Sequence, residues 1–153
     1  MSPEIKPTSR VCSITDALDI VGDRYALLVA RELKYGNTRF GDILQGTGAP
    51  RDVLTSRLRK LEQAGVVERR LYCEHPPRHE YVLTDAGREL QPILLALKEW
   101  GDSHCNPGEE PVVFRHSCGA VFHAQTVCAA CGEPVRDGEL TVAGGTHPVE
   151  ATM

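Results

Sequence analysis

The chain lacks the features that mark membrane proteins, secreted scaffolds and most enzymes. Its longest apolar run, residues 26–30, falls far below the ~18 residues of a membrane-crossing helix. The opening stretch from Met1 to Pro7 has no apolar core of the kind a secretory leader carries, so a cytoplasmic location is expected. No Gly-rich phosphate loop and no nucleophile paired with a base can be found; His75, His79 and His104 form no catalytic constellation. An enzyme is not expected.

A surplus of positive charge is missing too. The net charge is −4, which by itself argues against a nucleic-acid binder. The distribution reverses that argument. Residues 1–105 hold 15 Lys and Arg against 15 Asp and Glu, whereas residues 106–153 hold 2 against 6. The acidity sits in the tail, leaving the main domain neutral with room for a basic face. At 153 residues, 41% hydrophobic and 25% charged, the chain is ordinary globular material, long enough for one full domain and a small satellite.

Periodicity then gives the elements. Ser13 can cap a first helix with Ile14, Ala17, Leu18 and Val21 on one face. Asp23 can cap a second, apolar around much of its girth and therefore central, which stops at Gly36-Asn37. A short third helix over 40–44 ends at Gly46-Thr47-Gly48. Pro50 suits the first turn of a fourth, which runs to about residue 64 before Gly65. Strand-like residues 66–72 and 80–83 flank a turn at 75–78 and form a wing. Thr84 caps a long fifth helix over 85–102, with Pro92 inside it predicting a kink near Arg88. Leu90, Ile93, Leu94, Leu97 and Trp100 make an apolar stripe along it, a surface suited to a homodimer.

On a wheel of about 100° per residue, the fourth helix puts Leu54, Leu58 and Leu61 on its core face. Asp52, Thr55, Ser56, Arg59, Lys60 and Gln63 share the other. Short hydroxyls beside a basic residue suit a helix lying in the major groove, where arginine grips guanine edges or phosphates. Arg51 sits at the helix start. Arg78 follows two prolines at the wing tip, a cation held out on a stiff projection toward the minor groove or its phosphates. Arg69 and Arg70 on the preceding strand are further phosphate candidates. The expected DNA-binding set is Arg51, Thr55, Ser56, Arg59 and Arg78. Any one of these charges, taken alone, is as well explained as a solvated surface; the order of elements is what is specific.

That order resembles the HxlR-type winged-helix transcriptional regulators, relatives of the MarR group. The resemblance is carried by the stretch from Cys12-Ser13-Ile14-Thr15 through Gly22-Asp23-Arg24-Tyr25, then Leu27-Leu28, Arg31-Glu32-Leu33 and Arg39-Phe40-Gly41-Asp42-Ile43. It continues in Val53-Leu54-Thr55-Ser56-Arg57-Leu58-Arg59-Lys60-Leu61-Glu62, Pro76-Pro77-Arg78-His79-Glu80-Tyr81, Leu83-Thr84 and Glu99-Trp100-Gly101. It implies a homodimer, joined through the first helix and the long fifth one, that binds palindromic double-stranded operator DNA. Tyr25 stands where tryptophan is usual, and Asp52 where a basic or polar residue is.

Six cysteines in a chain without a leader suggest metal or thiol chemistry before structural disulfides. Cys128-Ala129-Ala130-Cys131-Gly132 is a knuckle: two thiolates two residues apart, with a glycine that lets backbone amides turn toward sulfur. His116-Ser117-Cys118-Gly119 is a degenerate partner. Tetrahedral zinc needs four donors, and His116, Cys118, Cys128 and Cys131 supply them, with His123 the alternative to His116. A small Trp-free appendix needs such a staple to fold. The competing account is free or redox-active thiols. Cys12 precedes the first helix, whose N-terminus lowers a thiol pKa. The resemblance implies a sensor of oxidants or electrophiles at this position, with Cys105 or Cys73 as its resolving partner; the other reading is a small buried apolar residue.

The expected fold is therefore mostly α with a β-hairpin wing, a winged helix-turn-helix, plus a small β-rich, zinc-ribbon-like appendix. Its parts are a DNA-binding and dimerisation domain over 10–104, a linker over 105–111, the cysteine-rich appendix over 112–143 and a frayed tail over 144–153. The expected function is a homodimeric operator-binding regulator, responsive to thiol oxidants or a small-molecule effector. The competing class is a winged-helix module that binds a protein partner instead of DNA.

Overall fold

The computed structural model describes residues 12–105, 108 and 112–144. Among them the elements run α1 (Ser13–Val21), α2 (Arg24–Lys34), α3 (Phe40–Thr47), α4 (Arg51–Gln63), β1 (Val67–Glu74), β2 (Pro77–Leu83), α5 (Asp85–Arg88) and α6 (Gln91–His104). The chain divides into a unit spanning Thr15–Ala124 and a second formed by residues up to Ile14 together with those from Gln125 on. Residues 112–124 thus group with the helical unit. The expected linker lies mostly outside the described residues, as do residues 10–11 and the tail beyond Gly144.

The core is aliphatic. Val29, Ile43 and Leu54 are wholly buried, with Leu58, Leu61 and Val67 nearly so. They come from α2, α3, α4 and β1, so one cluster ties the three central helices to the root of the wing. Each large side chain so buried contributes ~1.5–3 kcal/mol. Local signals set most boundaries as expected, although α3 runs on to Thr47, past its expected end at Leu44. The Asp23 carboxylate accepts the Tyr25 N–H at 3.0 Å to cap α2, and α3 ends on left-handed Gly48 at φ 63°. Thr84 Oγ1 accepts the Gly87 N–H at 3.1 Å to cap α5.

The long fifth helix is corrected. Residues 85–102 do not form one kinked rod; a turn at Glu89-Leu90 separates α5 from α6, and Pro92 falls in the first turn of α6. There its missing N–H has no intrahelical partner to lose, which is why the break comes before the proline and not around it. The apolar stripe is also split. Leu90 and Leu94 pack against the core, while Ile93, Leu97 and Trp100 remain 51%, 52% and 58% exposed.

The wing is a two-stranded antiparallel hairpin with Val67 opposite Leu83 and Glu74 opposite Pro77. Its tip is His75-Pro76. Arg78 lies in β2 opposite Cys73, one pair below the tip and not in the turn, because Pro77 can open a strand where no N–H is required. The β content of the described tail is confined to two isolated antiparallel bridges, Arg115 with Val121 and Val127 with Pro134, less than the β-rich piece expected.

Candidate nucleic-acid interface

Helix α4 carries its leucines inward, and its other face is a shallow concavity lined by Asp52, Thr55, Ser56, Arg59, Lys60 and Gln63. This is the set that the helical wheel gathers from the sequence. Ser56, Arg59 and Lys60 are exposed and Thr55 half-buried. The Thr55 hydroxyl donates to the Arg51 carbonyl at 2.8 Å, leaving its lone pairs outward. Arg51 lies over the Phe40 ring at 5.3 Å, which fixes the cation at the start of α4 against α3. Asp52 adds one negative charge to an otherwise basic and hydroxylic face.

The neighbouring arginines divide by what holds them. Arg57 turns back to Asp23 at 2.9 Å, a charge contact not aligned as a hydrogen bond, and it ties α4 to the start of α2. Arg70 forks onto Glu68 at 2.9 and 3.0 Å, and the guanidinium holds that carboxyl below its usual range. Its charge is thereby committed, against its candidacy for phosphate. Arg69 reaches the His79 ring at 3.1 Å, while Arg78 is exposed beside the tip. Arg39, not among the expected site residues, stands exposed at the residue before α3, makes no side-chain cap there, and lies over the Tyr72 ring of β1 at 5.0 Å. Its sequence signal is only that of one more cation ahead of a helix; the stack on the wing appears with the fold.

In the tail, each cysteine-bearing turn is built alike. The His116 N–H donates to the Ala120 carbonyl and the Gly119 N–H to the His116 carbonyl, both at 2.9 Å. In the second turn the Cys128 N–H donates to the Glu133 carbonyl at 2.9 Å and the Gly132 N–H to the Cys128 carbonyl at 2.7 Å. Gly119 and Gly132 take φ of 92° and 76°, which glycine alone adopts freely. The Cys131 backbone N–H, then that of Ala130 and the Cys131 side chain, pull the Cys128 thiol below its ordinary range. The Cys118 N–H donates to His116 Nδ1 at 3.3 Å, which places the proton of the neutral ring on Nε2. The alternative donor His123 meets Glu99 of α6 at 3.0 Å through its Nδ1, and its ring holds the Glu99 carboxyl below the usual range. Among the described residues, no three His, Cys, Asp or Glu side chains are gathered as a ready cage for a metal ion.

All six cysteines are thiols: Cys12 and Cys73 half-buried, Cys105 exposed at the end of α6. Among the described residues no helix is long and apolar enough to cross a membrane.

Known proteins share this arrangement. A family model for the HxlR-like helix-turn-helix matches residues 20–109. An uncharacterized HTH-type transcriptional regulator of Mycobacterium tuberculosis is 40% identical over 131 residues, covering 84% of this chain and 83% of the relative, so the likeness runs into the tail. Among solved structures, the candidate transcription factor PA1607 superposes with a TM-score of 0.77 at 31% identity, covering 90% of this chain and 96% of that one. The redox regulator HypR in its oxidized form superposes with a TM-score of 0.54 at 34% identity, covering 63% and 100%. Helix order, wing and extent of match agree: the chain is a transcriptional regulator belonging to the HxlR-like helix-turn-helix family.

Proposed function

We propose that the protein binds operator DNA as a homodimer, with α4 in the major groove and the wing on the flanking backbone. One observation carries the reading. The outward face of α4 is a continuous concavity of hydroxyl, amide and basic groups, bounded by Arg51 at one end and accompanied by an exposed Arg78 on the wing. Thr55, Ser56 and Arg59 read bases or nearby phosphates; Arg51 and Arg78 hold the backbone. Arg39, stacked between α3 and the wing, joins that backbone set. Dimerisation supports the same reading, because Ile93, Leu97 and Trp100 lie four and three residues apart on one face of α6 and are half-exposed, as are Ile14 and Leu18 of α1. Association would bury them and present α4 twice, matching a two-fold operator. Salt-dependent binding to a duplex from the protein's own promoter region tests this: affinity should fall steeply with salt. A protein that binds no duplex with a salt slope would instead be a winged helix that docks on protein.

The tail is proposed to hold structural zinc. The fit rests on the second turn, where the Cys131 and Ala130 N–H groups hold the Cys128 thiol below its ordinary range and so favour the thiolate that a metal takes. Cys128 and Cys131 would be two donors and Cys118 a third; His116 would be the fourth if its Nδ1 gave up the Cys118 N–H, and the alternative is His123, whose Nδ1 pairing with Glu99 keeps the Nε2 lone pair for a metal. When bound, the ion supplies a cross-link where apolar burial is thin. Cys12, next to the start of α1, is proposed as a thiol sensor with Cys105 as its partner in oxidation; the redox regulator HypR, of like fold, supports this. Operator release by a thiol oxidant, reversed by reductant and lost in Cys12→Ser, tests it.

A further inference from the structure

A groove of about 940 Å³ lies within the unit spanning Thr15–Ala124, between α2 and α6, with Val112 and Phe114 along its edge. Its size falls in the range of small-molecule sites, ~300–1,000 Å³. On α2, Arg24, Leu27, Leu28, Arg31 and Lys34 follow the three-and-four spacing that puts them on one face, and all line it. Leu94 and Leu95 of α6 add to the apolar floor.

The charges around this floor are not balanced. Arg31 is spent on Glu32 at 2.6 Å and on the Gly46 carbonyl at 2.8 Å. Lys98 is paired with Asp102 at 2.5 Å, and Asp23 with Arg57 at 2.9 Å. Arg24, which lies over the Tyr25 ring at 5.6 Å, and Lys34 are both exposed and without a carboxylate partner among the described residues. They stand ~15 Å apart along the helix axis. A leucine floor with a cation at either end complements a molecule with an apolar body and a negative end, which either cation can meet. A neutral body of the same length gains only the floor, and a cationic one is repelled.

We infer that this groove binds an amphipathic monoanion, a carboxylate on an apolar body, and that an effector reaches the regulator here; the inference rests on the regulatory reading above. Its position gives the ligand a route to α4. Arg24 adjoins Asp23, whose carboxylate both caps α2 and pairs with Arg57 of the recognition helix. An anion drawn to Arg24 competes with Asp23 for local positive charge and so bears on the contact that seats α4.

The test uses the full chain, with decanoate as the anionic probe and 1-decanol as its neutral counterpart, titrated calorimetrically. Saturable decanoate uptake is expected, with Kd raised about tenfold in Arg24→Gln/Lys34→Gln and decanol binding unchanged by the same substitutions. Both residues are exposed, so the variant should fold as the parent does, which circular dichroism checks. No saturable uptake, an unaltered decanoate affinity in the variant, or an equal loss for decanol overturns the inference. So does uptake that begins only on dilution to monomer, which would mean that a second copy of the chain fills the groove. Operator binding by the ligand-free protein is measured separately: decanoate uptake without operator binding sinks the regulatory reading, and operator binding without uptake sinks the groove.

Discussion

Two glycines of α3 should respond to the same substitution with opposite sign. A methyl group built on Gly41 meets nothing within 4 Å. Gly41→Ala should therefore stabilise by the helix-interior preference alone, ~0.5–1 kcal/mol. At Gly46 the methyl carbon would stand 2.1 Å from Glu32 Oε2 and 2.4 Å from its Cδ. A glutamate end can usually move aside, but this one is 4% exposed. It is also held by Arg31 at 2.9 and 2.6 Å and by Asn37 at 2.7 Å. Pushing it away forfeits hydrogen bonds to a charged group, ~1.5–3 kcal/mol, and forcing the methyl in costs ~1–3 kcal/mol as overpacking. The Glu32 end takes whichever route costs less, so after the helix gain is subtracted Gly46→Ala should destabilise by ~0.5–2 kcal/mol, leaving the two variants ~1–3 kcal/mol apart. Urea unfolding at fixed protomer concentration reads this as midpoint shifts of opposite direction at constant slope. The cause is checked in a Glu32→Ala background, where Gly46→Ala should lose its penalty. A Gly46→Ala variant as stable as Gly41→Ala, or a penalty that persists without the Glu32 carboxylate, refutes the reasoning.

Arg78→Ala should weaken binding to all duplexes alike and reduce the salt slope by about one. Arg59→Ala should cost affinity selectively on the operator; Arg70→Ala, whose charge is already given to Glu68, should change little, and anisotropy titrations across salt separate the three. Leu97→Glu should turn the proposed dimer into monomer in sedimentation velocity at micromolar protein, because each large side chain of the stripe contributes ~1.5–3 kcal/mol when covered. A dimer unaffected by that charge would place the interface elsewhere. Reduced protein should carry close to one zinc per chain by elemental analysis, and Cys128→Ser should lose it while the winged helix still melts cooperatively; metal-free parent protein would establish free thiols instead. Glu99→Ala should expose the Ala124 amide, 3.4 Å from that carboxylate, to faster hydrogen exchange.

Most of the helical unit could be read from the chain, because its rules are local. Leu54, Leu58 and Leu61 recur with the helical period, so the opposite face of α4 follows without any knowledge of neighbours. Asp23, Thr84 and Gly48 act within a few residues of themselves, and caps of that kind carry their own signal. The expected rod over 85–102 failed for a related reason: the stripe from Leu90 to Trp100 is periodic, but periodicity does not say whether Pro92 lies inside a helix or in its first turn.

What the sequence could not decide is which charges are spent. Arg51, Arg57, Arg59 and Arg70 look alike in one dimension. Only packing sends Arg57 to Asp23, lays Arg51 over Phe40, forks Arg70 onto Glu68 and leaves Arg59 in the concavity of α4. The same holds for the stripe from Leu90 along α6, where the fold takes Leu90 and Leu94 for the core and leaves Ile93, Leu97 and Trp100 outside, and for Arg24 and Lys34 at the ends of the groove, which no described carboxylate meets. Hydrophobic periodicity is set by bonds along the chain, so the sequence alone determines the first four helices, the wing and the family; the pairing of charges depends on distances across the chain, so tertiary structure alone determines which cations are left to meet a partner.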